Sequence, residues 1–456
     1  MSSFADKLYN ASPVFLQNAL VTAYGYKLYR KRYTGPVFEK VRRDIKRVNA
    51  MSAAEQRAFQ AERLHEMIKH CRANVPYYGT LLADLGLTEQ DFTDINHLNK
   101  LPNLDKQQIR ETPERFRAKG TTPYMIQNTS GSTGTPLSLW VDEYTYKLAM
   151  ALLIDHEERQ GVTFGAKRAT FAGRMIQPVE NINPPFSRFN RAENQQLFSA
   201  YHINNKTFSY YDSELERFQP EEIVGYPSAI YDIATQYLSH KKEPNFKPIA
   251  IITNSETLLA WQRERIELVF SCPIYDYYGT AEYVTFAGQD KNGIYRPNPI
   301  IGITELVTDK GSDEYSGRIV ATSLTNKAMP LLRYDLGDTA TLAYSSGTQT
   351  VGTPAFISID GRQDDYIETT DGRRIGRLDH VFKGIEGIKE SQILQSQPGS
   401  ITIKVVKDGF GNFNESSLRS NCKERLGDDF NVSLEYTSEI PKGRNGKFRS
   451  VIKELK

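Results

Sequence analysis

A chain of 456 residues with 39% hydrophobic and 25% charged residues is too long for one ordinary domain and has the make-up of a globular protein with two or three. Its 57 Lys+Arg against 55 Asp+Glu leave almost no net charge, which argues against a general nucleic-acid binder. Cys71, Cys272 and Cys422 lie far apart and form no metal-spaced pair, which argues against a disulfide framework or structural zinc.

In chain order, the opening "MSSFADKLYN" lacks the charged start and apolar core of a secretory signal, so a reducing cytoplasm is the expected compartment. The next run, "PVFLQNALVTAYGY", is interrupted by Gln17, Asn18 and Gly25 and falls short of the ~20 residues that span a bilayer. Residues 27–47 are basic with interleaved aromatics. They read either as a solvated helical face or as a peripheral contact with an anionic membrane. Residues 1–120 read as a helical region. In it, Phe59, Leu64, Met67, Ile68 and Cys71 form one apolar face, and Pro76 stops the ladder.

At 128–136 comes "NTSGSTGTP". Gly131 and Gly134 permit positive φ, so the loop can turn its N–H groups inward, and Thr129, Ser130, Ser132, Thr133 and Thr135 add hydroxyl donors. No G-K-[ST] follows, so it is not a Walker loop, and a surface linker or a phosphate cradle both fit.

From residue 165 strands alternate with helices. The clearest unit runs from a strand at 249–253 through a helix at 258–270 to a strand at 272–278, which predicts a parallel sheet. "EEIVGYPSAIYDIATQYL" reads as another strand, turn and helix. Residues 300–358 carry short β segments. After Gly361 a strand, a helix and a strand suggest a small α+β domain.

Four further segments carry polar groups. "DYYGTAEY" places Glu282 four residues after Tyr278, at the exit of a strand, where parallel sheets bind ligands. "RYDLGD" offers Arg333, Asp335 and Asp338. "GRQDD" begins at Gly361, and "PKGRNGKFR" ends the chain's last loop.

In this order the segments resemble those of the adenylate-forming superfamily of acyl-CoA synthetases. "TSGSTGTP" is similar to its phosphate loop, "YGTAE" to its Y-G-x-T-E motif and "RYDLGD" to its ribose motif. "GRQDD" is similar to its hinge and "NGKFR" to its terminal lysine loop. "NVPYY" at 74–78 and "LNKLPNLDKQQIRE" at 98–111 resemble the phenylacetate–CoA ligase branch, including relatives in capsular-polysaccharide biosynthesis.

The resemblance implies an α/β fold. A large N-terminal domain, 1–360, would hold the helical region and an AMP-binding core at 121–360 with parallel-rich sheets and a β-rich subdomain. A mobile α+β lid would follow at 361–456. It implies ATP-dependent activation of a small carboxylic acid as acyl-AMP, with Mg²⁺ and then coenzyme A. An amine, hydroxyl or carrier-protein acceptor and a non-enzymatic nucleotide-binding relic remain the alternatives.

Residue by residue, the resemblance assigns Lys447 as the catalytic cation, Glu282 and Thr133 to the metal, and the loop Thr129–Thr135 to the phosphates. Tyr278 would lie against adenine, and Asp338 with Arg362 would hold the ribose. Ser255, Glu256, Asp276, Tyr277, Gly279 and Thr280 would complete the nucleotide site, and Asp364 would be the hinge. Leu137 stands where the superfamily often has lysine after T-P, so a cation is missing; Arg174 or Arg333 is the candidate replacement, although a strand-end arginine is more often a structural ion pair. Ser255 could equally be a helix N-cap. Tyr226, His156 and Tyr283 are weak candidates for the acyl pocket.

Overall fold

The computed structural model describes residues 9–128, 137–174, 176–178, 180–308, 315–344, 350–362, 367–370, 374–375, 378–382, 385–407, 413–427, 430–441 and 448–454. Helices come first among the described residues, including α1 (Val14–Tyr33), α2 (Pro36–Asn49), α3 (Ala53–Asn74) and α4 (Pro76–Asp84). Helix α3 opens on a capping box, in which Ser52 Oγ accepts from the Glu55 amide and the Glu55 carboxylate accepts from the Ser52 amide. Leu64, Met67, Ile68 and Cys71 are buried on its apolar face. Pro76 ends α3 as its sequence predicts and also starts α4, where a missing N–H costs nothing.

After the short α5 (Lys106–Glu111) come a β-hairpin, β1 (Met125–Asn128) and β2 (Ser138–Val141), and α6 (Glu143–Arg159). The α/β core follows: β3 (Arg168–Ala172), β4 (Ser187–Asn190), β5 (Gln195–Ser199), α7 (Phe208–Phe218), β6 (Glu222–Gly225), α8 (Pro227–Ser239), β7 (Ala250–Asn254), α9 (Ala260–Phe270) and β8 (Ile274–Gly279). The strand–helix–strand unit expected at 249–278 is β7–α9–β8, with the strands parallel and Ile251 opposite Ile274. Strands β5, β3, β6, β7 and β8 lie side by side and parallel, and β4 closes that edge antiparallel. Ile223, Ile251 and Ile252 are fully buried because helices cover both faces.

The β-rich stretch is not a separate layer. Strands β9 (Phe286–Gln289), β10 (Tyr295–Pro297), β11 (Gly302–Val307), β12 (Ser316–Ser323), β13 (Tyr334–Leu342), β14 (Val351–Gly352) and β15 (Phe356–Arg362) continue the same sheet. Its thirteen strands run in the order β14-β11-β12-β13-β15-β10-β9-β8-β7-β6-β3-β5-β4. One half is antiparallel and the other parallel, joined where β8 meets β9.

The C-terminal region begins with the small pair β16 (Ile367–Glu368) and β17 (Arg374–Ile375). A four-stranded sheet follows, built from β18 (Ile388–Gln397), β19 (Ser400–Lys407), β20 (Asn431–Tyr436) and β21 (Val451–Lys453), with α10 (Glu415–Leu426) packed on it. Ile393, Ile401, Ile403, Val405, Leu418 and Cys422 give it a core of its own. The architecture is thus a large mixed α/β body with a small α+β C-terminal domain.

Candidate functional site

The parallel strands deliver their carboxyl ends to one side of the sheet, where such sheets receive ligands. The glycine-rich segment Thr129, Ser130, Gly131, Ser132, Thr133, Gly134 and Thr135 lies outside the described residues. Its flanks are fixed: Asn128 pairs with Ser138 across the hairpin, and Ser138 Oγ donates to Asn128 Oδ1 at 2.6 Å. Beside it, the Tyr283 hydroxyl donates to Gln127 Oε1 at 3.4 Å. The loop base therefore adjoins the segment leaving β8.

Side chains alternate along β8, and the alternation sorts the predicted residues. Asp276 is buried and accepts from Thr253 Oγ1 and the Tyr295 hydroxyl, each at 2.6 Å. Burial pushes its carboxyl up to about 7 against those bonds. Tyr277 points to the other face, stacked on Phe286 at 5.3 Å with His156 at 6.3 Å. The side chains of Asp276 and Tyr277 are thus engaged within the sheet. Tyr278 faces the antiparallel half, and its hydroxyl donates to Asp338 Oδ2 at 2.5 Å. Asp338 in turn lies opposite Arg362 in the β13–β15 register. Past Gly279, the Thr280 hydroxyl oxygen is buried with no partner among the described residues. Glu282 Oε1 accepts from the Tyr334 hydroxyl at 3.2 Å, which joins the β8 exit to the start of β13.

Glu256 links two domains. Its Oε2 accepts from the Ser228 amide at 3.2 Å, at the start of α8, and its Oε1 accepts from the Phe448 amide at 2.7 Å, in the C-terminal domain. Phe448 directly follows Lys447, which lies outside the described residues, as does Asp364. Tyr226 precedes α8. Burial raises its phenol pKa, and nearby Glu256 adds to the shift.

Two expectations are corrected. Ser255 does not cap a helix, because α9 starts at Ala260 and Ser255 adopts the left-handed region at φ 68. Arg333 makes the structural ion pair weighed for it and does not stand in for the missing loop cation. It is paired with Glu305 at 3.2 Å and donates to the Leu101 carbonyl at 2.6 Å. Arg174 lies over the Tyr24 ring, 5.9 Å from its centroid. His156 is buried, and burial pulls its pKa down to about 4, so it stays neutral.

Ser255, Tyr283 and Arg333 hold positive φ of 68, 54 and 49 without being glycines. All three stand in or beside the polar segments, where strained backbone concentrates. Sequence reasoning missed Tyr334, Ser228 and Phe448. Tyr334 sits inside "RYDLGD", where its charged neighbours Arg333 and Asp335 carry the stronger signal. Phe448 contributes only its amide, which no side-chain pattern announces.

Among the described residues no three His, Cys, Asp or Glu side chains cluster as a metal cage. Glu282 is a single hard oxygen donor. That suits Mg²⁺, which takes most of its ligands from phosphates and water. A cavity of about 280 Å³ lies elsewhere, among Lys40, Arg63, Tyr144 and Lys327, and shares none of these residues.

Residues 367–454 match the CapK C-terminal domain family. Protein CapK of Staphylococcus aureus is 29% identical over 98% of this chain and 99% of its own length. A phenylacetate-coenzyme A ligase of Thermus thermophilus is 21% identical over 87% of this chain and 96% of its own. Among solved structures, a 2-hydroxyisobutyryl-CoA ligase in the postadenylation state, in complex with R3-HIB-AMP, superposes with a TM-score of 0.64. Its identity is 16%, over 88% of this chain and 90% of that one.

Proposed function

Because the chain is homologous to CapK and the phenylacetate–coenzyme A ligases, we propose that it is an ATP-dependent ligase. It activates a carboxylic acid as the acyl adenylate, releases pyrophosphate and then forms a coenzyme A thioester. The supporting observation is convergence. Gln127 beside Tyr283, Glu282 beside Tyr334, Tyr278 beside Asp338, and Glu256 beside Phe448 bring segments from across the chain to one side of the sheet.

Adenylation drives a carboxylate onto the α-phosphate, so two anions must meet. The site has to supply donors and positive charge. In this mechanism the amides and hydroxyls of Thr129–Thr135 hold the β- and γ-phosphates that depart. Tyr278 flanks the adenine, and its hydroxyl orients Asp338, which accepts from the ribose hydroxyls with Arg362 beside it. The unpartnered Thr280 hydroxyl gains a partner from the nucleotide. Lys447 brings an ammonium between carboxylate and α-phosphate, and the neighbouring Phe448 amide is anchored on Glu256. Glu282 and Thr133 would hold Mg²⁺, whose charge offsets that of the phosphates.

ATP–pyrophosphate exchange across a panel of carboxylic acids tests the activity. Lys447→Ala should slow exchange with the active acid by about 10²–10³-fold, in line with loss of one transition-state donor. Its thermal midpoint should stay put. No exchange with any acid would leave only a nucleotide-binding relic. Mass spectrometry with and without coenzyme A then tests the second step. A free adenylate or an amide, with coenzyme A unconsumed, would overturn the thioester and favour the amine, hydroxyl or carrier acceptor.

A further inference from the structure

Helix α1 is seated largely by polar groups and leaves most of its apolar side outward. A helix lying on a globular protein normally turns its apolar side inward and its polar side to water. From Val14 to Tyr26 only Val21 joins a buried apolar cluster, with Ile176 and Leu197, and the other buried positions, Gln17 and Gly25, are polar or glycine. Gln17 is buried and accepts from the Arg188 Nε at 2.6 Å. Asn18 Oδ1 accepts from the Phe189 amide at 3.1 Å, and Thr22 Oγ1 donates to the Phe189 carbonyl at 3.3 Å and accepts from the Arg191 amide at 3.2 Å. These bonds blunt the open edge of β4, the last strand of the large sheet. Gly25 completes the seat: a Cβ there would fall 2.1 Å from Asn190 Oδ1 and push aside a side chain that accepts from the Ala192 amide.

The outer side is apolar. Phe15 is 75% exposed, Leu20 44% and Tyr24 50%, with Leu16, Ala19, Ala23 and Tyr26 also exposed. No charged residue occurs from Val14 to Tyr26. At the end of this face the charge changes. Lys27 and Arg30 are exposed and have no ion pair among the described residues, and Arg174 stands over the Tyr24 ring.

The basic stretch first suspected, 27–47, is less suitable. It is split between α1 and α2. Arg32 is paired with Glu193 at 3.4 Å, Arg42 with Glu158 at 2.7 Å and Lys40 with Asp44 at 2.5 Å, while Phe38, Val41 and Ile45 are buried.

We propose that the outer face of α1, from Phe15 to Arg30, docks on an anionic lipid surface. The helix lies flat along the body, so its whole apolar side can enter the headgroup boundary together. Phe15, Leu16 and Leu20 bury there, Tyr24 and Tyr26 sit at headgroup level, and Lys27, Arg30 and Arg174 meet the lipid phosphates. Among the described residues no helix is long and apolar enough to cross a membrane, so contact is peripheral. The adjoining charge favours lipid over a second copy of the chain, because Lys27, Arg30 and Arg174 complement anionic headgroups while the face from Val14 to Tyr26 offers them no acidic partner.

Flotation of the full chain with phosphatidylglycerol-containing vesicles, against phosphatidylcholine alone, tests the proposal at low and high salt. The wild type should float with anionic vesicles at low salt and release at high salt. Leu16→Glu with Leu20→Glu should abolish flotation. Lys27→Glu with Arg30→Glu should weaken it at least about thirtyfold, two headgroup contacts being lost. Leu268→Glu, at an apolar position on α9 that is 71% exposed, should float like the wild type. All these positions are exposed, so unchanged far-UV dichroism and thermal midpoint are expected and confirm folding. Failure of the wild type to float, or flotation indifferent to Leu16→Glu/Leu20→Glu, overturns the proposal. So does a dimer in light scattering that those two substitutions split, because the face would then be a contact between copies. None of these readouts depends on ligase activity.

Discussion

At the amino ends of β3 and β6, one guanidinium holds two carboxylates. Arg168 Nε lies 2.6 Å from Glu222 and its terminal nitrogen 2.7 Å from Glu157, and both acids are at most 2% exposed. Beyond the carboxyl ends of the same block of strands, Glu256, Tyr278 and Glu282, together with Asp338 of β13, are only half-buried and meet phenols or amides. The residue types are alike, but access differs. Among the described residues the sealed end sets one paired cation against two acids, and burial pushes the Glu157 carboxyl up to about 8, which favours its protonated form. The half-open end keeps its carboxylates hydrogen-bonded but within reach of solvent. Buried charge of the first kind stabilises only while it is complete, whereas the second kind can be altered without unfolding the protein.

The largest test of that contrast breaks the sealed end. Arg168→Leu should cost about 3–5 kcal/mol in urea unfolding, since two buried acids lose the one cation paired with them among the described residues. Adding Glu157→Gln and Glu222→Gln should recover much of the loss, because burying neutral groups costs less than burying unpaired charge. If Arg168→Leu alone unfolds no more easily than the wild type, the triad is not what organises that edge.

At the open end, Glu256→Ala removes the bridge between Ser228 and Phe448. A hydrogen bond to a charged group is worth about 1.5–3 kcal/mol, so adenylation should fall about ten- to a hundredfold with little change in the unfolding midpoint. Hydrogen exchange of the peptide containing Phe448 should quicken in parallel. Thioester formation from supplied adenylate should change less. Unchanged exchange and unchanged adenylation together would mean that the bridge does not position the terminal loop.

How far this contrast was legible in the sequence follows from distance along the chain. The unit β7–α9–β8 was readable because its apolar run, helix and second strand are local, and the Tyr278–Glu282 segment was readable as a strand exit. The continuity of the thirteen-stranded sheet was not, since the pairing of β13 with β15 and of β8 with β9 depends on tertiary register. Glu256 and Phe448 are 192 positions apart, and one partner is a backbone amide. Glu157 and Arg168 carried no signal either, being ordinary charged residues that only packing seals. In helix α1 the sequence marks Gln17 and Asn18 only as interruptions of an apolar run; that they and Thr22 serve the edge of β4 is decided by tertiary contact.

The finest distinction is a slope. In the unfolded chain the Glu157 carboxyl titrates near its ordinary value of ~4.3. In the folded chain it is held up to about 8, chiefly by burial, with the nearby Glu222 adding to the shift and Arg168 opposing it. Between those values the native state keeps a proton that the unfolded state has released. Unfolding therefore liberates a proton, and stability must fall as pH rises, by at most ~1.4 kcal/mol per unit. The contribution is fully present below the unfolded value and is gone once pH has passed the folded one. Urea midpoints taken from pH 5 to pH 9 should show this descent, and Glu157→Gln should flatten it, because an amide has no proton to lose. Burial also raises the Glu222 carboxyl, so the proton can sit on either acid, and Glu222→Gln belongs in the same series. If both variants keep the wild-type slope, the sealed end holds no shared proton, and the contrast between the two ends of the strands reduces to one of exposure alone.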